Sequence, residues 1–270
     1  MKRFAPVRRR AASCTLALLA TALALAATAL APVAAQQEAR TEIALGASHE
    51  RVSRGLGDWS SLDLELSHRD GAGRSLQGGW RETRRFGLRD HEAGLAGSFA
   101  LPTATPWTAT LEATYSPTHR VLAHHTLSAQ LQAALPAGWL VGLARRHNAY
   151  DAHATDLWIP GVEYYAGAWR YAYTGYAERI ANGGSAVAHR LQAELGYADA
   201  SRIGIGIAAG HEIESLGPAL GTVAMRVRSV ALVGRHVLTP AWAIDWEGLV
   251  HEQAAVYRRS GVHLGIRYRY

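Results

Sequence analysis

Cysteine and lysine are almost missing from this 270-residue chain: each occurs once, as Cys14 and Lys2. A single thiol excludes a disulfide framework. Cys14 stands ahead of an apolar run rather than at its end, which excludes the lipid-carrying cysteine of a lipoprotein. Beyond Gln36 no run of eighteen apolar residues occurs, so no transmembrane helix is expected there. Phosphate cradles, nucleophile elbows and metal-ligand spacings are missing as well. Gly204-Ile205-Gly206 with Gly210 is not a dinucleotide loop, because no helix is expected to follow it. Neither a cofactor nor a metal is therefore expected.

What is present begins with a targeting signal. Lys2, Arg3, Arg8, Arg9 and Arg10 form a basic start, and Ala11–Leu30 is an uncharged Ala/Leu run. Ala31-Pro32-Val33-Ala34-Ala35 then offers small residues where a signal peptidase reads. Residues 1–35 are expected to be a cleaved secretory signal peptide, and residues 36–270 the mature chain. The formal charge of +6 comes from 28 basic and 22 acidic residues. The signal carries five of the bases and no acid, so the mature chain is close to neutral, about +1. The basic balance is thus a targeting feature and gives no reason to expect nucleic acid as a partner.

The mature chain alternates with period two, broken by Gly, Pro, Asp and Asn. In Leu62-Asp63-Leu64-Glu65-Leu66-Ser67 one face is leucine and the other polar. Trp107 to Tyr115, Leu127 to Leu135, Ile203 to Ala209, Trp242 to Glu247 and Val262 to Tyr270 repeat the pattern. A soluble β-sandwich alternates too, but three features favour a membrane. The segments run to about ten residues, the length of a tilted spanning strand. Aromatics gather near their ends, as at Trp107, Trp139, Tyr197, Trp242 and Tyr268. The face opposite the apolar one is too polar for a dry core. The expectation is all-β: a closed antiparallel transmembrane β-barrel, about 14 strands, with 12 as the alternative count. Short turns are expected at Asp70–Gly73, Pro102–Pro106, Pro136–Gly138, Ala166–Ala168, Ala198–Ala200 and Thr239–Ala241. Longer loops are expected at Arg51–Asp58, Arg85–Asp90, Ser116–Ala123, Asn148–Thr155, Ile180–Ser185, Glu214–Arg226 and Glu252–Gly261. That alternation places both mature termini in the periplasm of a Gram-negative envelope.

The last strand carries two messages. His263, Gly265, Tyr268 and Tyr270 are similar to the C-terminal signal read by the barrel-assembly machinery of the outer membrane, which is therefore an expected partner, along with membrane lipid and lipopolysaccharide. Arg267 and Arg269 alternate with those aromatics and are expected to face a lumen. Asp63, Glu65, Arg81, Glu112, Arg190, Glu194, Asp245 and Glu247 are expected there too. Such charges either brace the lumen as ion pairs or line a conduit and select solutes by sign. Histidines offer little: His124 and His125 are expected on opposite faces of one strand, and His119 near Ser116, or His147 near Asp151 and His153, are expected as outer-loop groups.

Arg85–Asp90, Leu135–Trp139, Gly161–Tyr171 and Tyr257–Gly261 resemble stretches of the YaiO family of outer-membrane β-barrel proteins. The resemblance spans essentially the mature chain. It implies an outer-membrane barrel, some relatives resembling export barrels of exopolysaccharide systems, so polysaccharide is a further candidate partner. A porin-like barrel rather than an enzyme is expected because no histidine stands in an H-x-S pattern. Some relatives carry helical repeats ahead of the barrel, whereas the lead-in Gln36–Arg40 here holds none. The expected function is transport or export of small polar or saccharide material. A closed surface barrel is the first alternative, and a lipid A or phospholipid hydrolase the second.

Overall fold

The computed structural model describes residues 39–270, apart from 182, 199, 216–221 and 255. The signal region, with Cys14 and the Ala31–Ala35 exit, lies outside the described residues, as does Asp199 of the predicted turn.

Fourteen strands form one closed antiparallel sheet. They are β1 (Arg40–Val52), β2 (Trp59–Arg69), β3 (Ser75–Arg85), β4 (Leu88–Leu101), β5 (Trp107–Tyr115), β6 (His125–Leu135) and β7 (Trp139–Ala149), followed by β8 (Ala154–Ala166), β9 (Trp169–Ile180), β10 (Ser185–Tyr197), β11 (Ser201–Ser215), β12 (Thr222–Val237), β13 (Trp242–Gln253) and β14 (Tyr257–Arg269). Each pairs with its sequence neighbours, and β1 pairs with β14, with Gly46 opposite Gly265. Closure is the physical requirement here, since an unpaired strand edge in hydrocarbon costs several kcal/mol per backbone group. An even strand count leaves both ends of the sheet at the same rim. No helix among the described residues is long and apolar enough to cross a membrane.

Each pair keeps one register along its length, without a bulge. Following the paired residues once around the barrel returns to β1 about 14 residues further along, a stagger of about one residue per strand. With ordinary strand spacings this corresponds to a tilt of roughly 36° and a backbone radius of about 12 Å. Pro160 sits within β8, where it cannot donate to the ladder, and Gly175 of β9 leaves room for its ring: a Cβ there would meet Pro160 Cγ at 3.3 Å.

The outside is the apolar side. Leu264 is 60% exposed, Val262 57% and Leu191 54%. Across the strand the order inverts: the side chains of Glu42 and Arg267 are each only 14% exposed. Such an inside-out distribution is stable only where the outer solvent is lipid. Trp107, Trp139, Trp169, Trp242 and Tyr268 fall on one level of the outer face, near the rim that holds both ends of the sheet. Trp139 packs on Tyr164 with centroids 4.6 Å apart, and Trp242 on Tyr268 at 4.7 Å. This is an aromatic girdle.

The predicted contrast between short turns and long loops is weaker than expected. The segment Arg85–Asp90 is a tight two-residue turn, Phe86-Gly87, with φ +52° and +72°. Most of Glu252–Gly261 is strand, and β12 already begins at Thr222. Above the membrane the outer face no longer needs to be apolar, so alternation fades while backbone pairing continues. Of the connections described in full, Ser116–His124 is the longest.

Candidate functional site: the lumen

Inward positions alternate with the lipid-facing ones, and the registers sort them into three layers. Lowest, beside the aromatic girdle, Arg267 donates from Nη1 to Glu42 (3.2 Å) and Glu65 (3.2 Å), and from Nε to Asp245 (3.3 Å). Arg269 donates to Glu42 at 2.8 Å, and Arg235 to Asp245 at 2.5 Å. A second group joins Arg170 to Glu163 (2.7 Å) and Glu194 (3.3 Å), with Gln192 hydrogen-bonded to Glu194. These pairs cross from strand to strand and brace the wall. Of the residues expected at the lumen, Asp245 and Glu65 meet Arg267, whereas Arg269 turns to Glu42. Glu42, Glu163, Arg170 and Arg235 were missed, although each stands at an inward parity of its strand and was legible on that ground.

The middle layer is different. Asp63 lies 3.5 Å from His263, and Gly46 between them leaves the space, since a Cβ there would meet Asp63 Oδ2 at 2.5 Å. Glu112 is 3.9 Å from Arg146, and Glu92 accepts from Thr114 at 3.0 Å. Arg81 is in register between Asp63 and Glu92, yet makes no ion pair with a described residue. Neither do Arg190 and Glu247. Arg81 and Arg190 stand on β3 and β10, seven strands apart in a ring of fourteen, so they face each other across the lumen at about one level. Asp63, Glu65, Arg81, Glu92 and Glu112 line a recess of about 180 Å³.

The top layer narrows the mouth. Val52, Trp59, Met225 and Tyr257 form a buried apolar cluster on inward positions of β1, β2, β12 and β14, with Leu56 and Phe86 against it. Trp59 packs edge-on to Phe86 (5.1 Å) and Tyr257 (5.4 Å), beneath the guanidiniums of Arg85 and Arg259. Next around the mouth, from β4 to β7, the Ser116–His124 loop folds in. The fully buried Asp90 carboxylate accepts the backbone N–H groups of Arg120 (2.9 Å), Val121 (2.7 Å) and Leu122 (3.0 Å). Sequence reasoning placed Asp90 in a loop and assigned it no role. An aspartate at an inward strand position beside a long loop is the signal that was available.

His119 lies beside Ser116 as expected, whereas His124 and His147 settle differently from their expected places. His124 precedes β6 in the loop rather than lying on a strand, and its ring meets that of His125 edge-on at 5.5 Å. The His119 ring faces Asp151 at 3.1 Å, and His147 turns to Asp156 at 3.3 Å. The Ser116 hydroxyl accepts the backbone N–H of His119, while the His119 ring is engaged through Nδ1 with the Ser116 carbonyl oxygen and through Nε2 with Asp151.

Removing the lower brace has a calculable effect. Arg267→Ala leaves Glu42, Glu65 and Asp245 short of a shared counter-charge, and is expected to cost about 2 kcal/mol of barrel stability. Heat-modifiability on gels measures it: the variant should lose the folded band at a lower temperature, whereas Arg190→Ala, which removes no ion pair among the described residues, should not.

An apolar exterior, an aromatic girdle, complete strand closure and a charged interior define a membrane β-barrel of the outer-membrane type. The chain belongs to the YaiO family: the model of the YaiO membrane beta barrel domain matches residues 40–214. Among solved structures, the outer membrane protein Omp33 of Acinetobacter baumannii is 12% identical, with 87% of this chain and 100% of that chain covered at a TM-score of 0.51. The CymD monoaromatic hydrocarbon channel is 11% identical, covering 87% and 88%, at 0.54. These likenesses concern the fold. Comparison with curated proteins gives no match.

Proposed function

We propose that this outer-membrane barrel is a passive conduit for small polar or saccharide solutes, narrowed at its outer mouth. The observation that supports it is the middle layer. Arg81, Arg190 and Glu247 carry charge at mid-membrane depth without an ion-pair partner among the described residues. An unpaired charge at that depth is tolerable only in water, so these residues require a water-filled lumen. A barrel of fourteen strands is wide enough to hold one. CymD, which shares the fold, is described as a channel. The same reading has the loop-bearing rim outside the cell, both termini in the periplasm, a signal peptide removed on export, and His263, Gly265, Tyr268 and Tyr270 serving as the assembly signal.

Planar-bilayer recording tests it. Purified barrel should give discrete conductance steps. Arg81→Glu with Arg190→Glu should shift the permeability ratio toward cations by on the order of threefold or more, because two facing positive charges become negative. A persistently silent barrel, or unchanged selectivity, would sink the proposal. A closed surface barrel is the second reading, and the packed outer mouth favours it; silence in the same recording would select it.

A further inference from the structure

The lipid-facing side carries charge only toward one rim. Arg226, Arg228 and Arg258 of β12 and β14 are exposed at outward positions. Arg51 of β1 continues this arc beside them. Arg84 and Arg89 extend the level across β3 and β4, and Arg179 meets it on β9. Allowing for the stagger of the strands, these seven residues lie within about two residues of a common level. The aromatic girdle lies about ten residues below, or roughly 25 Å along the barrel axis, the height of an apolar band. Toward the girdle rim the described outward strand positions hold no arginine, aspartate or glutamate.

The collar is not neutralised on its own face. Outward carboxylates of the described strands are Glu82 on β3, Asp156 on β8 and Glu252 on β13. Glu82 is shared by Arg84, Arg89 and His91. Asp156 takes Arg145, an eighth outward arginine that sits lower and stacks 5.5 Å over Trp158. Glu252 is in register between Arg228 and Arg258. Asp58, in the loop before β2, faces outward His49 at 3.6 Å, and eight arginines against four carboxylates leave a positive belt where hydrocarbon gives way to headgroups. Trp80, stacked on His91 at 5.9 Å, and Trp158 mark that boundary from below.

We propose that this collar binds the phosphate groups of lipopolysaccharide in the outer leaflet. Guanidinium groups match phosphate in geometry as well as charge. The one-sidedness selects the occupant, because only one leaflet of an asymmetric outer membrane is built from phosphorylated glycolipid, and only one rim of the barrel is basic. The inference rests on the outer-membrane placement above and is independent of whether the lumen conducts.

Native mass spectrometry of the detergent-solubilised full barrel, mixed with diphosphorylated lipid A, tests it. Wild-type barrel should retain the lipid. Arg226→Gln with Arg228→Gln and Arg258→Gln should weaken retention about tenfold, while heat-modifiability and channel activity stay as in wild type. Arg84→Gln with Arg89→Gln, on the other arc, should weaken it in the same direction, and serves if the triple variant does not insert. Three results would each overturn the proposal: undiminished retention by both variants, equal retention of dephosphorylated lipid A, or retention of phosphatidylglycerol as tight as that of lipid A.

Discussion

Asp90→Ala raises the single-channel conductance on the order of twofold and adds rapid flicker to the open level. Asp90 holds the Ser116–His124 loop through three charge-assisted bonds to successive backbone N–H groups. Hydrogen bonds to a charged group contribute about 1.5–3 kcal/mol each. The released loop recovers part of that from water. Even so, a net loss of about 3 kcal/mol moves the loop from held to free by more than a hundredfold. The Thr118 hydroxyl of the loop also bonds the Asp90 carboxylate and accepts the backbone N–H of His91 at 2.9 Å. Asp90→Asn keeps the shape but loses the charge, so it should fall between wild type and alanine. Planar-bilayer recording measures all three. If Asp90→Ala matches wild type in conductance and noise, the loop does not narrow the path.

Trp59→Ala acts on the other half of the mouth and has the largest expected effect on stability. Trp59 is 3% exposed and central to the cluster with Val52, Met225 and Tyr257. Truncating such a residue costs about 3–5 kcal/mol, and here Arg85 and Arg259 lose the ring beneath them as well. The folded band on gels should disappear at a clearly lower temperature, and the surviving barrel should conduct more. Trp59→Phe is the informative control. The indole Nε1 has no hydrogen-bond partner among the described residues, so phenylalanine forfeits only volume and should cost less than half as much. A phenylalanine variant as unstable as alanine would mean that packing of the ring is not what holds the mouth.

Together these variants separate the two readings of the lumen. The lower layer, around Arg267 and Arg170, is a brace whose members neutralise one another. On the proposed reading, selection by sign belongs to the middle layer, where Arg81 and Arg190 make no ion pair with a described residue, and the upper layer sets how much of the conduit is open.

Much of this architecture was legible in residue order alone. Alternation in Leu62–Ser67 or Val262–Tyr270 assigns a face to every residue, because successive side chains on a strand point to opposite sides. The inward parity of Asp63, Arg190 or Arg267 followed from that rule. So did the strand count, since turns rich in Gly, Pro and Asp punctuate the girdle rim. The opposite rim was harder to read. There the strands outrun the membrane, polar residues occupy both faces, and β13 and β14 approach each other through what alternation marked as loop.

Residue order determined that this chain forms a closed barrel with a charged interior, because period-two alternation and long strands depend only on neighbours along the chain. Partnership across the lumen was decided by tertiary structure. Arg267 takes Glu42 and Glu65 from strands two hundred residues earlier, and Arg81 comes to face Arg190, through closure and a shear of about one residue per strand. The Asp90 latch and the arginine collar arise in the same way. Register and stagger are properties of the whole ring, and they bring to one level residues that no local pattern connects.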